Sequence, residues 1–432
     1  MRLALSSCSA NNLLTMPKIF LITKLKTTNV GNQALSEELI RLFTAHVGKD
    51  QLIIDGRPMG LDSYSEARIK SSTDPLKTFE RWADAIVSKF ASVPEIDFTP
   101  RTPSVTLLTG DHPQLRFEKI KARIRPLKRF LSRIKAYNAP YRNRLQRLQT
   151  CEWLVYSGAG EVGDNNVFLR QLIELRVAQK LGKKTAAVNQ SVVIKTSVYQ
   201  KLVAHVYGHM DKIVVRGDIS RSNLISYGVT RDVFEIAPDT ALNTTFHVKS
   251  AYLMREGFKK PVVGINFTPR VKLDFKKVEE IVKKIKESDR DIVFLTNEPF
   301  EDGPLGTELM RKFGVSLLRN PYDYVAYCSL LGELEFLIST RLHSNVLALV
   351  AGTPIIPIEG NVFKTTELLR QLQYPVPVVD PSSANWIDRV IQEMGNFNTN
   401  LYDWEKYFEE TLPVHKKRIA KNASWLQSVH SR

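Results

Sequence analysis

The feature that most constrains the fold is an alternation of short apolar runs with helical stretches, in which helical means that apolar residues recur every three or four positions. Near-continuous apolar strands that alternate with such helices are typical of a parallel sheet covered on both faces. In the first half of the chain the predicted strands are 18–25, 52–54, 105–108, 153–156, 185–188, 212–215 and 233–236. The predicted helices there are 31–47, 167–181, 196–207 and 220–227.

The same alternation starts again in the second half of the chain. The predicted strands there are 262–266, 292–296, 336–339 and 355–358, and the predicted helices are 276–287, 305–313, 323–331, 342–351 and 365–372. A chain of 432 residues is too long for one hydrophobic core and suits two domains. We therefore predict two doubly wound α/β domains.

The predicted boundaries follow from this alternation. Residues 17–247 form the first domain, 258–400 the second, and 401–432 a helical segment that packs back onto the first. Residues 1–16 are predicted to be a disordered tail, with Met16 as an alternative start, because they lack the apolar stretch of a signal peptide. Two such domains that face each other form a cleft, where ligands meet the carboxyl ends of the strands.

The charge of the chain predicts an anionic partner. The sequence contains 61 Lys and Arg against 45 Asp and Glu, a formal charge of +16. Residues 116–147 hold twelve of the basic residues and only one acidic residue, Glu118, with apolar residues at helical spacing and Pro126 as a kink. This basic segment predicts either a helix that docks on an anionic membrane surface or a solvated helix with its apolar stripe on the protein body.

Several classes of protein are excluded or disfavoured. The three cysteines lack metal-site or disulfide-framework spacing, and no apolar run reaches the roughly 20 residues of a membrane span. We therefore expect a cytoplasmic protein, with any membrane contact peripheral on the inner face. Nucleic-acid binding is not expected, because the basic segment has few interleaved aromatic residues.

Two glycine-containing turns follow predicted strands. Asn29, Gly31 and Asn32 open the first helix, where free backbone N–H groups can face an anion. Gly158 and Gly160 lie in a second turn, which can form an anion-binding nest of N–H groups. Each turn has a structural alternative: a plain turn with Asn32 as the helix N-cap for the first and a structural turn for the second.

Two arginines also lie at predicted strand ends. Arg216 follows the strand 212–215, where its donor fork suits a carboxylate or phosphate, although an ion pair at the sheet edge is the alternative. Arg341, His343 and Ser344 lie between the strand 336–339 and an apolar helix. At such a position Arg can bind an anion and His can exchange a proton near neutral pH, although a lone His is often structural.

Together these blocks resemble the polysaccharide pyruvyl transferase family over about residues 18–364. The loop at Asn29 resembles the family's N-x-G-D, and the turn at Gly158 its glycine-rich turn. The stretch from Arg216 to Asp239 and the block from Arg341 to Lys364 resemble its R-D-x-x-S and R-x-H motifs. The sequence departs from the family at Asn32 in place of Asp, at Gly217 within the Arg-Asp pair and at Ala159 in place of Gly.

The resemblance implies a fold similar to GT-B glycosyltransferases and a reaction. Family members transfer the enolpyruvyl group of phosphoenolpyruvate to two hydroxyls of a sugar and form a cyclic ketal. The acceptor would be a polysaccharide or its lipid-linked precursor, and no metal or other cofactor is expected. By this resemblance Arg216 and Arg341 would bind phosphoenolpyruvate, and His343 would be the general acid and base.

The remaining candidates have supporting roles under the same reading. Gly158 and Gly160 would allow close backbone approach, and Asn29, Gly31, Asn32, Ser344 and Lys364 would contact the sugar or the phosphate. The alternative function is a nucleotide-sugar glycosyltransferase of the same two-domain shape, which would also use glycine-rich loops and cleft arginines.

Overall fold

The computed structural model describes part of the chain. The described residues are 16–25, 27–56, 65–90, 139–158, 162–245, 252–269, 271, 275–319, 323–360, 362–399 and 402–428. The predicted strand 105–108, Gly160 and residues 116–138 of the basic segment lie outside them, as does nearly all of the predicted tail.

The first half of the chain forms a six-stranded parallel sheet in the order β2-β1-β3-β4-β5-β6. Its strands are β1 (Ile19–Ile22), β2 (Leu52–Asp55), β3 (Trp153–Ser157), β4 (Lys184–Gln190), β5 (Lys212–Val215) and β6 (Phe234–Ile236). β1 and β3 are buried along their whole length, as their unbroken apolar sequences predict for central parallel strands.

Helices cover this sheet on both faces. They are α1 (Val30–Val47), α2 (Glu66–Lys70), α3 (Pro75–Phe90), α4 (Ala139–Gln149), α5 (Asn166–Lys180), α6 (Ser197–Tyr207) and α7 (Asp218–Ser226). α1 begins where the Asn29 side chain accepts a hydrogen bond from the backbone N–H of Asn32, at 3.0 Å. Asn29 is therefore the N-cap, in place of Asn32, which the structural alternative had assigned.

The second half forms a five-stranded parallel sheet in the order β11-β10-β7-β8-β9. Its strands are β7 (Val262–Asn266), β8 (Asp291–Leu295), β9 (Ser316–Leu318), β10 (Phe336–Ser339) and β11 (Ile355–Pro357). The helices are α8 (Tyr252–Arg255), α9 (Phe275–Glu287), α10 (Pro299–Phe313), α11 (Tyr324–Leu331), α12 (Leu342–Val350), α13 (Lys364–Gln371) and α14 (Trp386–Asn398). The predicted fold class, two doubly wound α/β units, is confirmed.

Each sheet has a position where the strand order reverses. In the first sheet it lies between β1 and β3, and in the second between β7 and β10. In open parallel sheets, ligands bind outside the carboxyl ends of the strands at such positions. The loops that carry Asn29, Gly158 and Arg341 all leave strands of these two pairs.

The C-terminal segment first contacts Tyr374 of the second domain, through Trp404 and Tyr407, and ends against the first sheet. It contains α15 (Trp404–Lys406), a π-helical turn (Tyr407–Thr411), α16 (Leu412–Lys417), a 3-10 turn (Arg418–Asn422) and α17 (Trp425–Ser428). The ring centroid of Trp425 lies 4.7 Å from that of Trp153 on β3 and 6.4 Å from that of Phe43 on α1. This aromatic contact holds the end of the chain against the first domain.

Some elements differ from the sequence prediction. Strand β9 and helices α2, α3 and α14 are not predicted, and β9 has only three residues at a sheet edge, which leaves almost no periodic signal. α10 begins at Pro299, six residues before the predicted start, since Pro304 inside the helix imitates a boundary. In the described part of the chain, none of the helices combines the length and the apolar character needed to cross a bilayer.

Candidate functional site

Arg216 is the centre of a buried polar cluster at the carboxyl end of β5. Arg216 is 1% exposed to solvent. One guanidinium nitrogen, Nη2, lies 2.9 Å from Oδ2 of Asp239 and donates to the carbonyl oxygen of Gly158 at 3.1 Å, while Nε donates to Oδ1 of Asn189 at 3.2 Å. The other, Nη1, has no hydrogen-bond partner in the structure described here. The guanidinium is thus fixed on two sides and retains unused donor capacity.

Asp239 links this cluster to the second domain. It follows β6, is fully buried, and its Oδ2 also lies 3.4 Å from Nε2 of His343. Burial alone would raise the pKa of Asp239, but the charge of Arg216 and the contact with His343 hold it well below its ordinary value. Asp239 is therefore an ionised carboxylate that a guanidinium and an imidazole share.

His343 reaches this carboxylate from the first turn of α12. Its side chain is 13% exposed, so it is accessible while Arg216 and Asp239 are enclosed. A Cβ atom on Gly31 would overlap the Cβ and imidazole ring of His343. The sequence motif around Gly31 therefore has a steric explanation: glycine at the start of α1 allows the imidazole from the other domain to lie against the backbone.

The first domain contributes a strained strand end next to Arg216. Asn189 has a φ of +55°, and the β4–β5 register shifts between Ala187 and Gln190. Both acceptor positions of the Asn189 amide are used: Oδ1 accepts from Arg216 and from the backbone of Thr240, and Nδ2 donates to Oγ1 of Thr240 at 3.0 Å. A left-handed asparagine at a bulge often marks a functional site, because folding alone does not favour it.

Gly158 closes this side of the cluster. Its N–H donates to the carbonyl oxygen of Val188 at 2.8 Å, and its carbonyl oxygen accepts from Arg216. A Cβ atom there would lie 2.5 Å from Cγ of Gln190, so the position requires glycine for close packing. Gly158 thus contacts Arg216 directly, while Gly160 lies outside the described residues.

Arg341 has a different setting from the one that the sequence predicts. Its Nη2 pairs with Oε2 of Glu301 at 2.7 Å and also with Oδ1 of Asp302, and its Nε donates to Asp302 at 3.1 Å. Both carboxylates belong to the first turn of α10. Since two negative charges already surround this guanidinium, its power to attract a further anion is reduced. Direct anion binding by Arg341 stays a prediction.

The other predicted residues divide between the cleft and the second domain. Asn29 donates to Oδ1 of Asn297 at 2.8 Å and so joins the two domains beside Gly31. Asn32 is buried in the first turn of α1. Ser344 is fully buried and donates to Oδ1 of Asn266 at 2.7 Å, within the second domain. Lys364 is half-buried at the first residue of α13.

Glu367 forms a second contact between the domains that the sequence does not suggest. Its carboxylate accepts from the backbone N–H of Ser220 at 2.7 Å and from the Ser220 hydroxyl at 2.9 Å, at the start of α7. Burial raises the pKa of Glu367, and the two hydrogen bonds oppose that rise. A Cβ atom on Gly217 would overlap Glu367, which explains why glycine follows Arg216 here.

The sequence analysis missed Asn189, Gln190, Asp239 and Glu367 as site residues. Asp239 lies in a stretch that the family resemblance includes, so that signal was present. Asn189 and Gln190 end an otherwise apolar strand, where buried amides are an available signal. Within the described ranges, no three His, Cys, Asp or Glu side chains are grouped as a metal site requires.

The sequence matches one family model. The model of the family described as "polysaccharide pyruvyl transferase" matches residues 29–361, which is most of the chain and includes Asn29, Arg216 and His343. None of the curated proteins matches the sequence.

Solved structures of low sequence identity share the fold. UDP-GlcNAc 2-epimerase of Methanocaldococcus jannaschii, solved with UDP-GlcNAc and UDP, is 14% identical, with 94% of this chain and 99% of that chain covered and a TM-score of 0.50. MnaA of S. aureus with UDP is 14% identical, with 96% and 98% covered and a TM-score of 0.53. HepE of Anabaena with UDP is 10% identical, with 96% and 100% covered and a TM-score of 0.54. These likenesses show the GT-B type of fold.

Proposed function

Since the chain belongs to the polysaccharide pyruvyl transferase family, we propose that it transfers the enolpyruvyl group of phosphoenolpyruvate to two hydroxyls of a saccharide. The products are a cyclic pyruvate ketal and phosphate. The acceptor is a sugar of a polysaccharide or of its lipid-linked precursor. One observation carries the proposal: Asp239 joins a buried arginine of one domain to an accessible histidine of the other.

Arg216 suits the donor in charge and position. Phosphoenolpyruvate carries a carboxylate and a phosphate, and a guanidinium with a free Nη1 in a buried site binds such groups strongly. Asp239 neutralises part of the guanidinium charge but leaves Nη1 available. Gly158 permits close packing of the backbone on this side, and close backbone approach at Gly160 stays a prediction.

His343 is proposed to protonate the methylene carbon of the donor. C2 then becomes an oxocarbenium-like centre, to which the first sugar hydroxyl adds. The C2–O bond to phosphate breaks with its electron pair on phosphate, and the second hydroxyl closes the ketal ring. Of the two hydroxyl protons, one returns to His343 and the other leaves on phosphate, so atoms and charge balance. Asp239 stabilises the protonated imidazole.

For Arg341 we revise the role. Arg341 lies two residues before His343 in the chain, and its guanidinium pairs with Glu301 and Asp302. It therefore positions the loop that carries the imidazole. Ser344 supports the same loop from within the second domain. Asn29, Gly31, Asn32 and Lys364 remain proposed contacts of the sugar or phosphate.

The test is phosphate release from phosphoenolpyruvate over a panel of galactosyl, glucosyl and mannosaminyl acceptors, with product mass showing the added pyruvyl group. Wild-type protein is expected to turn over, and His343→Ala to lose at least 100-fold, at the low end of the range for a general acid. Thermal stabilisation by UDP- or GDP-sugars without stabilisation by phosphoenolpyruvate would instead favour a nucleotide-sugar glycosyltransferase.

The basic segment 116–147 is proposed to dock the enzyme on an anionic membrane, where a lipid-linked saccharide is presented. Nine basic residues between 116 and 138 and an apolar spacing of three and four support this. At the end of the segment Arg144 is buried and pairs with Glu174, so that part belongs to the protein body. Flotation with anionic vesicles, with neutral vesicles as the control, tests it. Binding that is unchanged when residues 116–138 are deleted, which leaves α4 with its buried Arg144 in place, would contradict the proposal.

A further inference from the structure

Buried donors without partners concentrate at two neighbouring strand ends. They are Nε2 of Gln190, Oγ of Ser191 and Nη1 of Arg216. These three residues are 0%, 5% and 1% exposed, respectively. Gln190 and Arg216 are adjacent, because the backbone N–H of Arg216 donates to the carbonyl oxygen of Gln190 at 2.8 Å. Each unsatisfied buried donor destabilises a fold by about 1–3 kcal/mol, so three together need an explanation.

Elsewhere in the described chain, buried polar atoms without partners belong to residues that are not neighbours in the sequence. They belong to Trp153, Thr244, Asn345, Gln371, His415 and Asn422. Oδ2 of Asp239 and Nε2 of His343 are set apart from these atoms, because Oδ2 of Asp239 lies 2.9 Å from Nη2 of Arg216 and 3.4 Å from Nε2 of His343. The group at the ends of β4 and β5 is therefore distinct in placing three donor-bearing side chains, one of them positively charged, at neighbouring strand ends.

The Gln190 amide is held in a defined orientation. The hydroxyl of Tyr207 donates to its Oε1 at 2.6 Å, and its Cγ packs where a Cβ of residue 158 would be. Burial raises the pKa of Tyr207 far above its ordinary value, so the phenol keeps its proton. The bulge at Asn189, with its φ of +55°, sets the direction in which Gln190 leaves the strand.

We propose that Gln190 and Ser191, with Nη1 of Arg216, form the subsite that binds the phosphate group of the donor. The inference rests on the proposed function and deepens it. A phosphate group offers three non-bridging oxygens, one more than a carboxylate, and so matches three donors at neighbouring strand ends. Two of the donors are neutral, which suits a group that must leave as free phosphate.

Titration calorimetry on the full chain tests this subsite with three probes: phosphoenolpyruvate, inorganic phosphate and pyruvate. For Gln190→Met, Kd is expected to rise about 10- to 100-fold for phosphoenolpyruvate and for inorganic phosphate, the effect of losing a hydrogen bond to a charged group. Binding of pyruvate, which has the carboxylate but no phosphate, is expected to stay within about twofold of wild type.

A second variant separates binding from folding. In Gln190→Met/Tyr207→Phe, both partners of one hydrogen bond become apolar, and such a pair is nearly neutral or stabilising. The melting temperature is expected to equal or exceed that of wild type, while phosphate binding is still lost. Gln371→Met is the matched control, since it also removes a buried unpartnered amide but on α13, and its phosphate affinity is expected to be unchanged.

Three outcomes would overturn the assignment. The first is an unchanged Kd for inorganic phosphate in Gln190→Met while wild type binds it. The second is weakened pyruvate binding with unchanged phosphate binding, which would assign the carboxylate to this subsite. If wild type binds neither phosphoenolpyruvate nor phosphate, the proposed function fails with it, so the two failures are distinguishable.

Discussion

Arg216 and Arg341 occupy similar places relative to their strands, each within two residues of the carboxyl end of a buried strand, yet their surroundings differ. Arg216 has one carboxylate, Asp239, and an unused nitrogen. Arg341 has two carboxylates, Glu301 and Asp302, on a helix of its own domain. The same residue in the same kind of sequence position is therefore an anion-binding candidate in one sheet and a structural tie in the other.

The imidazole of His343 belongs with the Arg216 cluster and not with Arg341. His343 lies two residues after Arg341 in the chain, but its charged partner is Asp239, the carboxylate of the Arg216 cluster. The proton transfer proposed for His343 thus depends on a carboxylate of the first domain, although its backbone belongs to the second. Substitutions can separate the two arginine environments, and the largest expected effect is the loss of kcat at His343.

His343→Gln removes the proton carrier and keeps a side chain of similar size. We expect kcat to fall about 100- to 10,000-fold, the range for loss of a general acid, with KM for phosphoenolpyruvate nearly unchanged. Steady-state phosphate release measures both constants. A large rise in KM with unchanged kcat would show that His343 binds the donor and does not move a proton.

Arg216→Met leaves Asp239 as a buried charge without its cation. Unfolding in urea is expected to show a loss of about 3–5 kcal/mol. Arg341→Met is the matched comparison, and a smaller loss is expected there, because Asp302 keeps hydrogen bonds from the backbone of Asn297 and Glu298. Equal losses for the two variants would contradict the difference between the two environments.

Gly31→Ala places a methyl group against the imidazole of His343. We expect a destabilisation of about 1–3 kcal/mol from overpacking and a lower kcat, since the ring must move away from Asp239. Gly395→Ala, in α14 with open space around it, is the control and is expected to be neutral or slightly stabilising. Full activity in Gly31→Ala would show that catalysis does not depend on the contact between Gly31 and His343.

Asp239→Asn tests the electrostatics through pH. The pKa of Asp239 is lower in the folded than in the unfolded chain, where it lies near 3.8, so below that value the unfolded state binds more protons. The stability due to this carboxylate is present at neutral pH and is lost as the pH falls through and below about 4. Urea titrations are expected to show a shallower acid decline in Asp239→Asn than in wild type.

Much of the fold follows from the sequence because parallel strands and their helices have strong patterns. The apolar runs at β1 and β3 and the motif residues Arg216 and His343 lie where the patterns predict. The environments of the two arginines cannot be predicted from the sequence, because Glu301 and Asp239 approach from elements that are distant in the chain. Short elements such as β9 lack enough residues for a periodic signal. The role proposed for Gln190 cannot be predicted from the sequence either, because it depends on which of its atoms lack hydrogen-bond partners in the fold.

The most direct test of the central claim, that the donor anion binds at Arg216 and not at Arg341, is the KM for phosphoenolpyruvate in Arg216→Lys and Arg341→Lys. Both variants keep the positive charge and lose the guanidinium fork. We expect KM to rise about 10-fold or more in Arg216→Lys and to stay within about threefold of wild type in Arg341→Lys, whose change appears in kcat. An equal or larger rise in KM for Arg341→Lys would contradict the account.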